Sequence, residues 1–520
     1  ITTNKLYNRR MASTQAARHT RKALSVLSRA GRGLRLRHGF STKTEPLTIS
    51  SINQKVVNAE YAVRGEIVIK AETYKQRLAQ GDDSLPFTEV VSCNIGNPQE
   101  LQQKPITFFR EVLALCSHTG LLENPNVKDL FSEAAIEEAK TYQSMIPGGS
   151  GAYSHSMGVR GIREKVASYI ESRDGFPSDP DKIFLTDGAS SAVNMCLQLM
   201  VRGKQDGIMV PIPQYPLYSA GITMNGGSQV NYYLDESKGW STTIEDLRAS
   251  YDEASKEGVN VRALVVINPG NPTGQCLPKD KMQDILRFCK ETGVTLMADE
   301  VYQTNIYHTT PFNSFKKVLM EMGDEMSDVS VLSFHSVSKG FLGECGRRGG
   351  YMEVWNMDED VMMQLYKLAS VTLCSNIDGQ IMTGLMVDPP KVGSAHDLYE
   401  DEKHQILGSL KQRSETLVKS LNNLEGVNCN IVEGALYAFP SIKLPPKAIE
   451  AAKEAGKAPD SFYCLQLLDE TGVVVVPGSG FGQEPGTFHF RTTILPPPDK
   501  IEAVSKRVAD FHNQFMKKYS

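Results

Sequence analysis

Lys339 stands in the stretch Ser336-Val337-Ser338-Lys339-Gly340, just after an apolar run at residues 329–334. That run reads as a buried strand. A lysine carried into a low-dielectric pocket at a strand end holds its proton less tightly, and the freed lone pair suits a nucleophile or base. Arg347 and Arg348 follow eight and nine residues on; beside hydroxyls they suit a phosphate. Asp299 comes at the end of a second apolar run, residues 294–298. A carboxylate buried there needs a cationic partner. Tyr302, three residues on, can face the same ligand. Arg491 lies within a predicted strand at 488–493. It needs an anion, and its planar fork matches a carboxylate.

Three further loops carry residues of the right type. Asp187-Gly188-Ala189-Ser190-Ser191 follows a short run at 182–186 and opens a helix, so its amides and helix dipole can hold a phosphate. Pro211-Ile212-Pro213-Gln214-Tyr215-Pro216 fixes an extended path from which Tyr215 can stack on a flat ring. Asn268-Pro269-Gly270-Asn271-Pro272-Thr273-Gly274 holds the Asn271 amide rigidly. Read singly, these also fit an N-cap turn, a core tyrosine and a plain turn, and Lys339 fits a solvated surface residue. Together they describe one amine, one phosphate site, one buried carboxylate and one buried arginine. Amine and phosphate site together describe pyridoxal phosphate held as a Schiff base.

The elements that must position these groups alternate. Strand runs at 182–186, 208–211, 263–267, 294–298 and 329–334 are separated by helical patterns such as 192–200 and 282–289. Apolar strands alternating with helices predict a mostly parallel sheet covered on both faces. In such sheets ligands bind at the carboxyl ends of the strands, where these loops lie. Earlier, a polar helical pattern includes 64–78, the run 90–93 is strand-like, and a helix is expected at about 159–172. Near residue 396 a long polar helix reaches about 424. Short strands follow near 429–432, 435–441 and 472–476, and a closing helix opens on a capping box of Asp499 and Glu502. The fold class is α/β, a large domain at 121–395 with a smaller α+β domain at 396–520. Residues 45–120 form an arm and part of the small domain.

Charge marks the start of the chain. Residues 1–44 hold eleven Lys and Arg and no Asp or Glu, the composition of an organelle transit peptide. The mitochondrion is expected, with the chloroplast as the alternative. Without that segment 45 basic residues face 60 acidic ones. The overall charge of −4 does not mark a nucleic-acid partner, and no apolar run is long enough to span a membrane. Nine scattered cysteines with no Cys-x-x-Cys spacing argue for a reducing compartment and against structural zinc.

The ordered series of phosphate turn, aromatic loop, Asn-Pro-Thr-Gly, Asp-x-x-Tyr, Ser-x-x-Lys and late strand arginine resembles the fold type I pyridoxal-phosphate aminotransferases. The likeness extends over about residues 50 to 518 and includes 94–99, 147–158 and 472–495. It implies a role for each matching residue. Lys339 would carry the cofactor and act as base. Asp299 would hold the ring nitrogen protonated. Asn271 and Tyr302 would bond the ring oxygen, and Tyr215 would stack on the ring. Ala189, Ser190, Ser336 and Arg348 would bind the phosphate, with Tyr153 arriving from the other subunit of a homodimer. Arg491 would clamp the substrate carboxylate, with Gly96 and Asn271 lining the same place. Relatives often have a tyrosine before the phosphate arginine. Here Arg347 precedes Arg348, and Arg348 is taken because an extended segment would point Arg347 the other way. The implied reaction is ping-pong transamination between alanine with 2-oxoglutarate and pyruvate with glutamate. Rival readings are a sister enzyme of glutamate and glyoxylate or another small amino acid, a ring-forming lyase, and a non-catalytic ligand sensor.

Overall fold

The computed structural model describes residues 47–61, 65–309 and 311–520; the basic leader lies outside them. Residues 53–520 build on a seven-stranded sheet. Its strands are β1 (Ile183–Thr186), β2 (Asp206–Ile212), β3 (Ser228–Tyr233), β4 (Asn260–Ile267), β5 (Thr295–Asp299), β6 (Val331–Ser336) and β7 (Gly350–Trp355). Their order is β1-β7-β6-β5-β4-β2-β3. Neighbours from β3 to β6 pair in parallel, and β7 runs antiparallel to both β6 and β1.

Alternation along one strand shows why both faces are covered. Val265 packs with Phe184, Ile208 and Met297 under the helices Ala189–Met200 and Glu359–Val371. Its neighbours Leu264 and Val266 point the other way, into a core shared with the helices Ile244–Lys256 and Lys279–Thr292. The parallel-sheet expectation therefore holds, with two strands that the periodicity did not show. β3 is an edge strand with half its residues exposed, so its pattern is only Val230 and Tyr232. β7 carries Glu353 in its middle, and that charge hides a buried strand. Strands β5 and β6 also run further than expected, so that Asp299 and Ser336 are their last residues.

A second core gathers the early and late parts of the chain. Val91–Ser92 pairs in parallel with Val473–Val474, and Thr493 N donates to Cys93 O. This register brings residues 94–96 beside the strand Phe490–Thr493. The long helix Gly393–Asn422 and the closing helix Pro498–Tyr519 cover these strands. Two expectations fail here. Residues 429–432 form no strand, because the Asn422 side chain takes both backbone groups of Cys429, accepting from its N and donating to its O. The closing helix has Pro497 as its N-cap and no capping side chain. Pro498 sets the first turn's φ, and Asp499 there only faces the helix dipole.

Candidate active site

The cleft begins at the ends of β5 and β6. Beyond Ser336 the chain turns through Gly340, whose φ is +68°. Lys339 Nζ lies 5.7 Å from the centre of the Tyr302 ring. Gly96 borders it closely: a Cβ there would stand 3.5 Å from Lys339 Nζ and 2.4 Å from the Tyr437 hydroxyl. Asp299 is 6 % exposed, and its Oδ2 accepts a hydrogen bond from the Tyr218 hydroxyl at 2.8 Å. Burial raises the proton affinity of Asp299, and the Tyr218 bond, the Val301 amide and the Lys339 charge only partly oppose it.

The turn after β1 forms a second pole. Gly188, with φ +79°, precedes the helix Ala189–Met200, and no side chain caps that helix. Arg348 Nη2 donates to Asp187 O at 2.8 Å, and Nη1 to Ser338 Oγ at 3.3 Å and Cys345 O at 3.2 Å. A Cβ on Gly188 would stand 2.6 Å from Arg348 Nη2, so glycine keeps this approach open. Arg347 turns instead towards Asp378, 3.8 Å away. The two arginines diverge for a different reason from the one expected. Cys345–Arg347 is a 3₁₀ turn, not an extended segment, and Arg348 itself is left-handed with φ +52°. Ser336 Oγ donates to Gly349 O and accepts from Ser338 N, so Ser338 is the hydroxyl in contact with Arg348.

The third pole is Arg491, 1 % exposed. Its guanidinium lies between the rings of Tyr437 and Phe481, 4.2 and 4.6 Å from their centres. Nη1 donates to Asn271 Oδ1 at 3.0 Å and Nη2 to Asn94 O at 2.5 Å, while Nε has no partner. Both acceptors are neutral. A buried guanidinium held this way lacks an anion, and a carboxylate supplies one. Asn271 Nδ2 also donates to Tyr302, which donates on to Tyr437. Burial pushes the phenols of Tyr215, Tyr218 and Tyr302 far upward, so all three keep their protons. Burial pushes Tyr437 up too, but the charges of Lys339 and Arg491 outweigh it and lower its proton affinity.

The profile of the class I and II aminotransferases matches residues 119–508. The chain belongs to that family. A relative named alanine aminotransferase 2, mitochondrial, from Arabidopsis thaliana is 56 % identical over 92 % of this aminotransferase and 89 % of its own length. The Arabidopsis glutamate–glyoxylate aminotransferase 2 is 49 % identical over 91 % and 97 %. Among solved structures, an alanine aminotransferase from Pyrococcus furiosus superposes with a TM-score of 0.70 over 89 % of this chain and all of its own. At 24 % identity it shows the shared fold.

Most of the sequence candidates of this aminotransferase meet in the cleft. Tyr153 is the outlier, 80 % exposed on its loop. Sequence reasoning missed Tyr218, Tyr437, Phe481 and Tyr61, whose hydroxyl lies 2.6 Å from that of Tyr215. Tyr218 had a signal: it sits three residues after Tyr215, in the first turn of the helix Leu217–Asn225. Tyr437 and Phe481 had none, since only tertiary packing brings them onto Arg491.

Proposed function

We propose that this aminotransferase interconverts L-alanine and 2-oxoglutarate with pyruvate and L-glutamate by a ping-pong mechanism, using pyridoxal phosphate on Lys339. The observation that carries the reading is the set of three poles around one cleft: an amine, a buried acid without a cation, and a buried guanidinium without an anion. The cofactor fits the first two and the glycine turn. Lys339 Nζ would hold its aldehyde carbon. Asp299 would pair with its ring nitrogen, which removes the cost of burying that carboxylate. The amides of Ala189 and Ser190, with Arg348, Ser336 and Ser338, would hold its phosphate where Gly188 leaves room. Asn271 and Tyr302 would meet the ring oxygen and Tyr215 the ring face. Bound there, the cofactor supplies a carbonyl for the substrate amine and a cationic ring that accepts the electron pair left at Cα.

The protein supplies orientation and proton movement. Arg491 takes the α-carboxylate in its planar fork, and Asn271 and Asn94 O fix the plane of that fork. Tyr437 and Phe481 keep water from its two faces, which strengthens the ion pair. Gly96 admits the substrate, since any side chain there would strike Tyr437. Lys339 Nζ removes the Cα proton of the amino acid and holds it for return. In the second half-reaction the same amine runs the sequence backwards on 2-oxoglutarate. Tyr153 serves the phosphate site of the second protomer of a homodimer. A mitochondrial location accords with the acid-free basic leader and with the Arabidopsis relative's name.

The alanine assignment rests on the higher identity to an alanine enzyme than to a glutamate–glyoxylate enzyme. Titrating the yellow holoenzyme separately with alanine, glutamate, aspartate and glycine tests it. Alanine and glutamate are expected to bleach the spectrum, and aspartate and glycine to leave it. Bleaching by glycine in place of alanine overturns the assignment in favour of glyoxylate.

A further inference from the structure

His489 precedes the strand Phe490–Thr493 and bridges to Ser441, so it points to the same side of the chain as Arg491, two residues on. It is 2 % exposed and takes no part in the steps above. Each ring nitrogen has a partner. Nδ1 lies 3.0 Å from Gln483 Oε1, and Nε2 lies 3.0 Å from Glu236 Oε2. Gln483 is oriented by its other contact. Asp460, fully buried, accepts from Ser461 N at Oδ1 and from Ser479 N at Oδ2, so it meets Gln483 through the amide NH₂, at 3.2 Å. The amide oxygen is left facing His489, where it only accepts. A neutral imidazole donates from one nitrogen; two acceptors ask for two protons. The alternative is a proton on Glu236. Burial favours it, but the His489 hydrogen bond leads the effects that outweigh burial and hold the Glu236 carboxyl below its usual range.

The same residues hold the aromatic cover of the carboxylate clamp. The Phe439 ring lies parallel to His489 with centres 4.8 Å apart, a face that suits a cation, and meets Phe481 edge to face at 5.8 Å. Phe481 in turn covers Arg491. The turn Gly478–Phe481 is held on either side: Gly478 N donates to His489 O at 2.7 Å before Phe481, and Gln483 bonds His489 and Asp460 after it. Glu236 and Trp240 come from the segment after the edge strand β3, and Trp240 meets both Phe439 and His489 edge to face at 5.7 Å. The Glu236 bond thus ties the cover of Arg491 to the sheet. Among the described residues, the charged groups that face the His489 ring are Glu236 and, through Gln483, Asp460. Asp235 and Lys238, from the Glu236 turn, pair with each other at 2.9 Å.

Resting on the clamp role given to Arg491 above, we propose that His489 works as an imidazolium and is a positioning residue for that clamp. With both protons it bonds Gln483 and Glu236 and keeps Phe439 and Phe481 packed towards Arg491. When pH rises and one proton leaves to water, a ring lone pair faces an acceptor oxygen, one bond is lost and the cover loosens. Water then reaches the guanidinium and weakens its hold on a carboxylate. Affinity for the carboxylate that both substrates share falls as pH rises.

Glu236→Gln supplies an amide that donates to a neutral ring or accepts from a charged one, so it removes the need for the second proton. Calorimetric binding of propionate, a bare carboxylate, to the holoenzyme gives a readout without turnover. From about pH 6 to 9, across the range in which a histidine beside a carboxylate changes charge, wild-type affinity is expected to fall about three- to tenfold more than that of Glu236→Gln. KM for alanine and for glutamate is expected to follow by the same factor, with kcat moving less. Nitrogen NMR of the histidine-labelled enzyme, with the His489 signal assigned by its loss in His489→Gln or its shift in Glu236→Gln, is expected to show both ring nitrogens protonated at neutral pH. Equal pH dependence in wild type and Glu236→Gln, or a His489 ring with a single proton at neutral pH, overturns the inference. A wild type that reacts with neither alanine nor glutamate sinks the proposed function instead. Propionate binding and the ring signal still decide the inference in that case.

Discussion

Among the described residues, two of the groups of buried charges are satisfied in opposite ways. Behind the sheet, Lys316 is paired with Glu353 of β7, and also donates to Pro177 O. Close by, Arg173 makes a two-pronged pair with Asp174 at 2.6–2.7 Å. Glu300 joins this group as a fifth ionisable residue. Its burial, against the Arg173 charge and the Phe315 amide, pushes its carboxyl up to about 8, so it stays neutral. The group is thus balanced with no ligand. In the cleft, among the described residues, Arg491 meets neutral oxygens, Asp299 a phenol and the Val301 amide, and Lys339 the Tyr302 ring and Gly96. Both places are mostly buried, but their charge balance differs. The charges the fold completes need no ligand; those it leaves incomplete around the cleft suit one.

The contrast is broken most severely at Lys339. Lys339→Ala is expected to lower transamination by about 10⁴-fold, while cofactor still binds through the phosphate turn and Asp299; single-turnover rates and cofactor titration check both halves. Next in size is the balanced group. Glu353→Gln leaves the Lys316 charge buried without a counter-ion and is expected to cost about 3–5 kcal/mol of stability. Denaturant unfolding measures that, and kcat per folded molecule should stay near wild type. If Glu353→Gln damages kcat as much as stability, the division between the two groups is wrong.

Arg491→Lys sharpens the same division from the other side. Lysine keeps the charge but not the fork, and the aromatic sandwich of Tyr437 and Phe481 fits a planar group. The expected loss is about 10²-fold in kcat/KM for both amino acids, with little change in thermal unfolding. Stopped-flow half-reactions check whether alanine and glutamate lose equally, as they should at a clamp for the carboxylate they share.

How much of this was legible in sequence follows from the same physics. Lys339, Asp299 and Asn271 sit at ends of parallel strands, and a parallel sheet announces itself by apolar runs broken by loops of special residues. Position in such a loop already implies position at the site. Arg491 was visible because a guanidinium inside an apolar strand has no local explanation. Its surroundings were not. Asn94, Tyr437 and Phe481 come from three separate segments, joined by the pairing of Val91–Ser92 with Val473–Val474 and of Tyr437–Ala438 with Phe490–Thr493. Two-residue strands carry no periodicity. β7 stayed hidden because a charge pair that only the fold completes looks, in sequence, like a surface glutamate.

Tyr218 gives the smallest and most diagnostic change. Among the described residues, its hydroxyl is the one side chain that hydrogen-bonds the Asp299 carboxyl, 2.8 Å away within the core. Tyr218→Phe removes that bond and leaves the ring. Asp299 is then harder to ionise than it already is, because the bond opposes the effect of burial. A neutral acid pairs poorly with a cationic ring nitrogen, so cofactor affinity and rate are each expected to fall about tenfold, in the range of support groups behind a ligand contact. The sign in pH distinguishes this from simple loosening. A carboxyl with a raised proton affinity ionises only as pH rises, so the deficit should shrink at higher pH and deepen at lower pH. A deficit that is flat across pH, in cofactor binding as well as in kcat, would show that Tyr218 only fills space.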